Sequence, residues 1–269
     1  DYISENKLYD TSKETLLEIL NSPNNILGIE YIKSILKLNS NIKPYTINRV
    51  NSGYNSLNIN NSICSASAIR NALKTDSLET INYTMPKPTY DLINDTVNSG
   101  VNLVYNDDFY QILSSIILRD KDNLTDYFEV NEGIENKIYN SIFKCQNIEE
   151  LQNEIKSKRY TMTKISRTLN NIMLGIKRDD ILKTKDLKEM PYVRVLAFND
   201  KGCEILKEIK KNSEIEVITK FSKIKHIDSD IFNTLINYDI KATNMYSLIY
   251  NKSLLKGPMD YITSPKYIK

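Results

Sequence analysis

A chain of 269 residues, 41% hydrophobic and 26% charged, is long enough for one large or two ordinary domains and has a globular composition. Its 36 Lys and Arg against 34 Asp and Glu leave a net charge of +2, too little to demand a nucleic-acid partner, so any such partner has to be argued from local clustering. No apolar run of about 18 residues exists to cross a membrane, and the three cysteines, Cys64, Cys145 and Cys203, lie too far apart for a disulfide scaffold or a structural zinc site.

The opening Asp1-Tyr2-Ile3-Ser4-Glu5 is polar and acidic, unlike a signal or transit peptide, and lacks an initiator Met, as a fragment or a processed product would. A reducing cytoplasm is the expected compartment. The single histidine, His226, stands in Lys225-His226-Ile227-Asp228. Chemistry that needs a histidine pair, or a histidine beside a nucleophile, is not expected, and His226 reads as a surface or turn residue.

In chain order, a helix is expected over about 12–20, with Leu16, Leu17 and Leu20 at helical spacing and Asn21-Ser22-Pro23-Asn24-Asn25 ending it. A second is expected over about 28–38, with Ile29, Ile32, Ile35 and Leu36 on its buried stripe. Pro44 to Val50 reads as a strand, rich in β-branched and aromatic residues, and 51–61 as a polar loop. A further helix opens near Ser65. Thr84-Met85-Pro86-Lys87-Pro88 reads as a linker between a domain at 1–84 and one at 85–269. Helical stripes follow: Phe109, Ile112, Leu113, Ile116 and Ile117; Ile134, Ile138, Ile142 and Phe143; Leu151 and Ile155; Met162, Ile165, Leu169, Ile172 and Ile176. The period then shifts to a strand at 193–198, a helix at 203–209 and a strand at 216–219, a β-α-β unit whose strands would pair in parallel. Helices near 231–235 and 244–250 complete the chain.

Three segments carry candidate chemistry. Ser65-Ala66-Ser67-Ala68-Ile69-Arg70 puts small hydroxyl residues at a helix start, where backbone N–H groups and the positive end of the dipole favour phosphate, and Arg70 one turn along could reach the same anion. From spacing alone an ordinary N-cap, with Arg70 solvated, is the better reading. Asn24-Asn25-Ile26-Leu27-Gly28-Ile29-Glu30-Tyr31 reads as a polar loop at a helix start, with Asn25 as cap and Gly28 allowing close backbone approach to a nucleotide. Arg49 leaves a strand end into Asn51-Ser52-Gly53-Tyr54-Asn55, where it could clamp a phosphate or be a solvated surface residue.

In this order the three motifs resemble the second half of the nucleotidyltransferase fold of bacterial tRNA(Met) cytidine acetate ligases. Lys158-Arg159-Tyr160-Thr161-Met162-Thr163-Lys164-Ile165-Ser166-Arg167, Tyr192-Val193-Arg194-Val195-Leu196-Ala197-Phe198-Asn199 and Ala242-Thr243-Asn244-Met245-Tyr246-Ser247-Leu248 extend the resemblance over nearly the whole chain. It implies that Ser65, Ser67 and Arg70 lie near the phosphates of ATP, that Asn25, Gly28 and Arg49 belong to the same nucleotide site, and that Mg2+ accompanies ATP. The implied reaction activates acetate as acetyl-adenylate and acetylates N4 of the wobble cytidine in elongator tRNA-Met. Two departures stand out. The superfamily's His-x-Gly-His pair is absent, so the chain is expected to lack the first strands of the nucleotide-binding sheet and to be inactive alone. Asn244 stands where the family leads one to expect an acidic residue.

Lys156, Lys158, Arg159, Lys164 and Arg167 fall within twelve residues with no acidic residue between them. On a helix Arg159, Thr163 and Arg167 would share one face, opposite Met162, Ile165, Leu169 and Ile172. Lys177 and Arg178 extend the cluster, and Tyr160 could stack on a base. A solvated amphipathic face is the plain alternative. With the resemblance, Lys158, Arg159, Lys164 and Arg167 are expected to contact the tRNA backbone. The expected fold is α/β plus mostly α: a truncated Rossmann-like nucleotidyltransferase remnant, then a helical domain with a small β-α-β unit. The rival readings are an adenylyltransferase acting on a small metabolite and a non-enzymatic RNA-binding module.

Overall fold

The computed structural model describes residues 12–47, 59, 64–75, 78–187, 189–224, 229–250 and 258–268. Arg49, His226 and nearly all of the 51–61 loop lie outside them. The chain divides into two compact units, Asp1–Lys87 and Pro88–Lys269.

In the first unit, α1 (Lys13–Asn21) is capped by Ser12, whose hydroxyl accepts from the Thr15 N–H at 3.2 Å. The next helix, α2, spans Pro23–Lys37. It starts a full turn before the expected position, because Ser22 takes the extended cap conformation and proline at the first helical position has its φ preset. Asn24 to Tyr31 is therefore helix rather than loop. Residues 40–47, expected in part as a strand, have no regular structure, and Tyr45 and Ile47 are 86% and 96% exposed. Strand propensity reflects packing on a neighbouring strand, and no strand is present among the described residues of this unit. Helix α3 (Ala66–Thr75) buries Ala68 and Ala72, and Ile81 is buried in the 3-10 turn Leu78–Thr84 that follows.

Helix α4 (Lys87–Asn98) starts at the boundary, with Lys87 the last residue of the first unit, so the expected linker shrinks to Met85 and Pro86; Pro88 sits in the first turn, where its missing N–H costs nothing. Helices α5 (Tyr110–Arg119), α6 (Ile134–Ser141), α7 (Ile148–Ile155) and α8 (Met162–Leu174) surround one core. Its centre is Leu113, Ile117, Ile134, Ile138, Leu151, Ile155, Ile165 and Ile172, all at most 1% exposed. These are the residues whose helical spacing marked the stripes in the sequence. Gly133 starts α6 and Gly175 ends α8, each with φ in the left-handed region, where a side chain would be strained. Helix α9 (Arg178–Thr184) follows.

The β-α-β unit is present, with one difference. The first strand divides into β1 (Tyr192–Arg194) and β2 (Ala197–Phe198). After α10 (Asp200–Asn212), β3 (Glu216–Ile218) pairs in parallel with β1, whereas β2 pairs in parallel with β4 (Lys266–Tyr267). The change of partner falls between adjacent residues: the Val195 N–H donates to Ile218 O at 2.9 Å, and Leu196 O accepts from the Lys266 N–H at 3.0 Å. A second core of Ile218, Phe221, Phe232 and Ile236 lies beneath β3 and α11 (Asp230–Tyr250). That helix is continuous for 21 residues where two short ones were expected. Helix α12 (Met259–Ile262) precedes β4.

Candidate nucleotide and nucleic-acid sites

The start of α3 is built as an anion-accepting helix end. Ser65 is 5% exposed, and its hydroxyl accepts from the Ala68 N–H at 3.0 Å, so the cap reading of this serine holds. Ser67 and Arg70 are exposed on the same helix, and its first turn carries no acidic residue. Arg70 makes no ion pair among the described residues. A Ser-capped helix start with an exposed hydroxyl and an exposed guanidinium suits a phosphate. Asn25 and Gly28 are placed differently from the expectation. Asn25 is not a cap; it lies in the first turn of α2, and its side-chain amide donates to Ile19 O at 3.1 Å. Gly28 is inside the helix, and a Cβ there would meet nothing within 4 Å among the described residues.

The basic segment of the second unit is not a single helical face. Lys158 and Arg159 precede α8, whose N-cap is Thr161, so Arg159 is not in helical register with Thr163 and Arg167. Tyr160 is 6% exposed, and its hydroxyl donates to Glu132 O at 2.6 Å. The ring is part of the core and cannot stack on a base, which overturns that expectation. The cations instead meet two carboxylates from the loop before α6. Arg159 Nε and Lys164 Nζ each stand 3.6 Å from Glu132, and Arg167 Nε donates to both oxygens of Glu129 at 3.0 and 3.2 Å. That hydrogen bond, reinforced by the carboxylate charge, pushes Arg167 up from its ordinary pKa. Lys164 also donates to Asn131 Oδ1 at 3.2 Å. Lys158 has no ion pair among the described residues. Farther along, Lys177 lies 3.5 Å from Asp126, and Arg178 donates to Val130 O at 2.9 Å. Side chains of Arg159 and Arg167 keep 61% and 57% of their exposure, so a phosphate can reach them.

Sequence reasoning missed Glu129 and Glu132. Both have positive φ without being glycine, at 64° and 61°, and no local pattern announces such residues. Asn244 contributes its backbone carbonyl, which accepts from Ser247 Oγ at 2.8 Å. No helix among the described residues is long and apolar enough to cross a membrane.

The described residues thus give a Ser-capped helix start with an exposed arginine and, in the second unit, a largely helical fold with two small parallel sheets. Residues 2–258 match the family described as HIGH Nucleotidyl Transferase, and the chain belongs to that family. Similar curated proteins bear the name tRNA(Met) cytidine acetate ligase. One from Clostridium acetobutylicum is 46% identical over 90% of this chain and 57% of its own length, and one from Clostridium perfringens is 41% identical over 98% and 62%. The chain thus spans about three-fifths of the relatives it matches. Among solved structures, Thermotoga maritima TmcAL in its apo form I superposes with a TM-score of 0.85 at 27% identity, over 99% of this chain and 64% of that one. The same protein bound with alpha-thio ATP superposes with a TM-score of 0.81.

Proposed function

We propose that this chain serves the ATP-dependent acetylation of N4 of the wobble cytidine in elongator tRNA-Met, in the cytoplasm. The observation that carries the reading is identity of 41–46% to tRNA(Met) cytidine acetate ligases over 90–98% of the chain. In this reading the first unit is the carboxy-terminal part of an ATP-binding domain and the second is the tRNA-binding domain. The start of α3 fits the phosphates of ATP: Ser65 fixes the helix end, while Ser67 and Arg70 remain free to hold the anion. Asn25, Gly28 and Arg49 are the further candidates for this site. ATP would pass its AMP group to acetate with release of pyrophosphate, and the acetyl-adenylate would then give its acetyl group to the cytidine N4 with release of AMP; Mg2+ would accompany the phosphates. The chain's own contribution is to position and hold phosphate charge. Lys158, Arg159, Lys164 and Arg167 are the proposed contacts to the tRNA backbone.

The test is filter binding of elongator and of initiator tRNA-Met to this chain across a salt series. A preference for the elongator is expected, and equal affinity for both overturns the assignment of elongator recognition to this chain, while the salt slope tests the backbone contacts. Arg70→Ala is expected to weaken ATP binding about tenfold or more, the worth of a charge-assisted hydrogen bond. Unchanged ATP affinity would remove the start of α3 from the site.

A further inference from the structure

Strands β1 and β3 run parallel and end at Arg194 and Ile218, and the space beyond the carboxy ends of parallel strands is where open sheets place ligands. A cavity of about 100 Å3 lies there, with Arg194, Thr219, Lys220 and Ser264 among its lining residues. At roughly 10–15 Å3 of such space per water, it has room for several waters or for one tetrahedral oxyanion.

The charge that faces this cavity is positive. Arg194 is clamped from two sides: its Nη2 donates to the carboxylate of Asp260, and its guanidinium lies 4.6 Å from the centre of the Phe221 ring. The Asp260 side chain is only 1% exposed, so it holds the arginine from behind and offers a ligand nothing. Arg194 keeps 27% of its side-chain exposure, and its remaining nitrogens make no hydrogen bond among the described residues without being sealed from solvent. Lys220, half-buried in the same lining, makes no ion pair among the described residues. Asp260 is the one acidic residue among the described lining residues. Two cations therefore share a small space with no carboxylate within reach of it, an arrangement that an anion relieves.

We propose that this cavity binds a phosphate group. Arg194 offers its N–H donors in a fixed planar fork, the geometry that matches two oxygens of one phosphate. Lys220 adds a point charge on a flexible stem, and the hydroxyls of Thr219 and Ser264 can donate to the remaining oxygens. A guanidinium already held in place loses little freedom when the anion arrives, which favours binding. The site lies outside the 158–167 segment and does not depend on the tRNA contacts assigned there. Its phosphate can come from a free phosphorylated molecule or from a nucleic-acid backbone, since both present the same oxygens.

The chain is titrated with inorganic phosphate, and with chloride at matched ionic strength, while the backbone amide NMR shifts are followed. Phosphate is expected to shift the amides of Thr219, Lys220 and Ser264 saturably, and chloride is not. Lys220→Met is expected to weaken phosphate binding about tenfold, the worth of a charge-assisted hydrogen bond, and Lys220→Arg to restore it. Neither change removes an ion pair seen among the described residues, and thermal unfolding checks that both variants keep the fold. Shifts that chloride reproduces, shifts confined to other residues, or a Lys220→Met variant that titrates like the wild type overturn the proposal. Repeating the titration with tRNA present separates the sources, and either result keeps the site. Displacement of phosphate by tRNA identifies a nucleic-acid backbone as the occupant, and phosphate binding undisturbed by tRNA identifies a free phosphorylated molecule. A chain that binds no tRNA loses the RNA reading, while the phosphate titration still decides this cavity.

Discussion

The salt dependence of tRNA binding tests the basic segment most directly. Replacing Lys158, Arg159, Lys164 and Arg167 together by Ala removes all four proposed phosphate contacts. Three of them already face Glu129 or Glu132, but Arg159 and Arg167 stay more than half exposed. Such solvent-exposed pairs contribute at most about 1 kcal/mol, so phosphate can displace the carboxylates. Each phosphate contact adds roughly 0.7–0.9 to the slope of log K against log salt, or about three for four contacts. Raising salt from about 50 to about 200 mM should therefore cost the wild-type chain roughly sixtyfold more affinity than the variant. Filter binding at several salt concentrations gives both slopes, and thermal unfolding checks that the variant keeps its fold. The converse change, Glu132→Gln, frees Arg159 and Lys164 and is expected to tighten binding about two- to fivefold, as the loss of a weak competing pair would. A wild-type slope in the quadruple variant would refute the placement of tRNA on this segment.

Tyr160→Phe removes the buried hydroxyl bond to Glu132 O and is expected to cost about 1–2 kcal/mol in urea unfolding while leaving tRNA affinity unchanged, since the ring is inside the core. Ser65→Ala removes a buried cap and is expected to destabilise by about 1 kcal/mol, read from the same denaturation. Ile165→Ala, at 0% exposure, should cost about 2–5 kcal/mol. Burial, then the hydrogen bond to Asp120, pushes Tyr127 up to about 12; burial, then the bond to Asp180, does the same for Tyr238. A folded pKa above the unfolded value of about 10 gives stability that is complete below pH 10 or so and lost as the pH rises through about 12. Thermal unfolding should show that alkaline loss, and Tyr238→Phe should reduce it.

The helices of the second unit were legible because their apolar spacing is the signal that burial enforces. Ile134, Ile138, Leu151, Ile155, Ile165 and Ile172 all reach the core at most 1% exposed. The middle of α11 was not legible, because Asn237-Tyr238-Asp239 breaks the apolar stripe. Those polar residues are held by distant partners: Tyr238 donates to Asp180 at 2.5 Å, and Asp239 accepts from Tyr192 at 2.8 Å. Neither pairing leaves a local trace. The β-α-β unit was visible as a change of period, but the division of its first strand was not, since it depends on β4, some seventy residues downstream. In the candidate sites, the cap at Ser65 was readable and the early start of α2 was not, because Asn24-Asn25 outweighed the Ser22-Pro23 signal. The Arg194–Asp260 pair joins residues 66 apart, and spacing cannot announce such a pair.

The loop before α6 explains how a cation cluster can be paired and still available. Its backbone is held by groups other than the proposed tRNA contacts. The Phe128 N–H donates to Ile176 O at 2.9 Å, and Phe128 O accepts from Asn171 at 2.9 Å. Val130 O accepts from Arg178, and Glu132 O from the buried Tyr160. The left-handed residues Glu129 and Glu132 are thus fixed by the surrounding structure, as strained backbone has to be. Their carboxylates are what meets Arg159, Lys164 and Arg167. Exchange of those carboxylates for phosphates then requires only side-chain motion and no rearrangement of the loop. A preorganised surface of this kind avoids the ordering cost that a mobile basic segment would carry on binding.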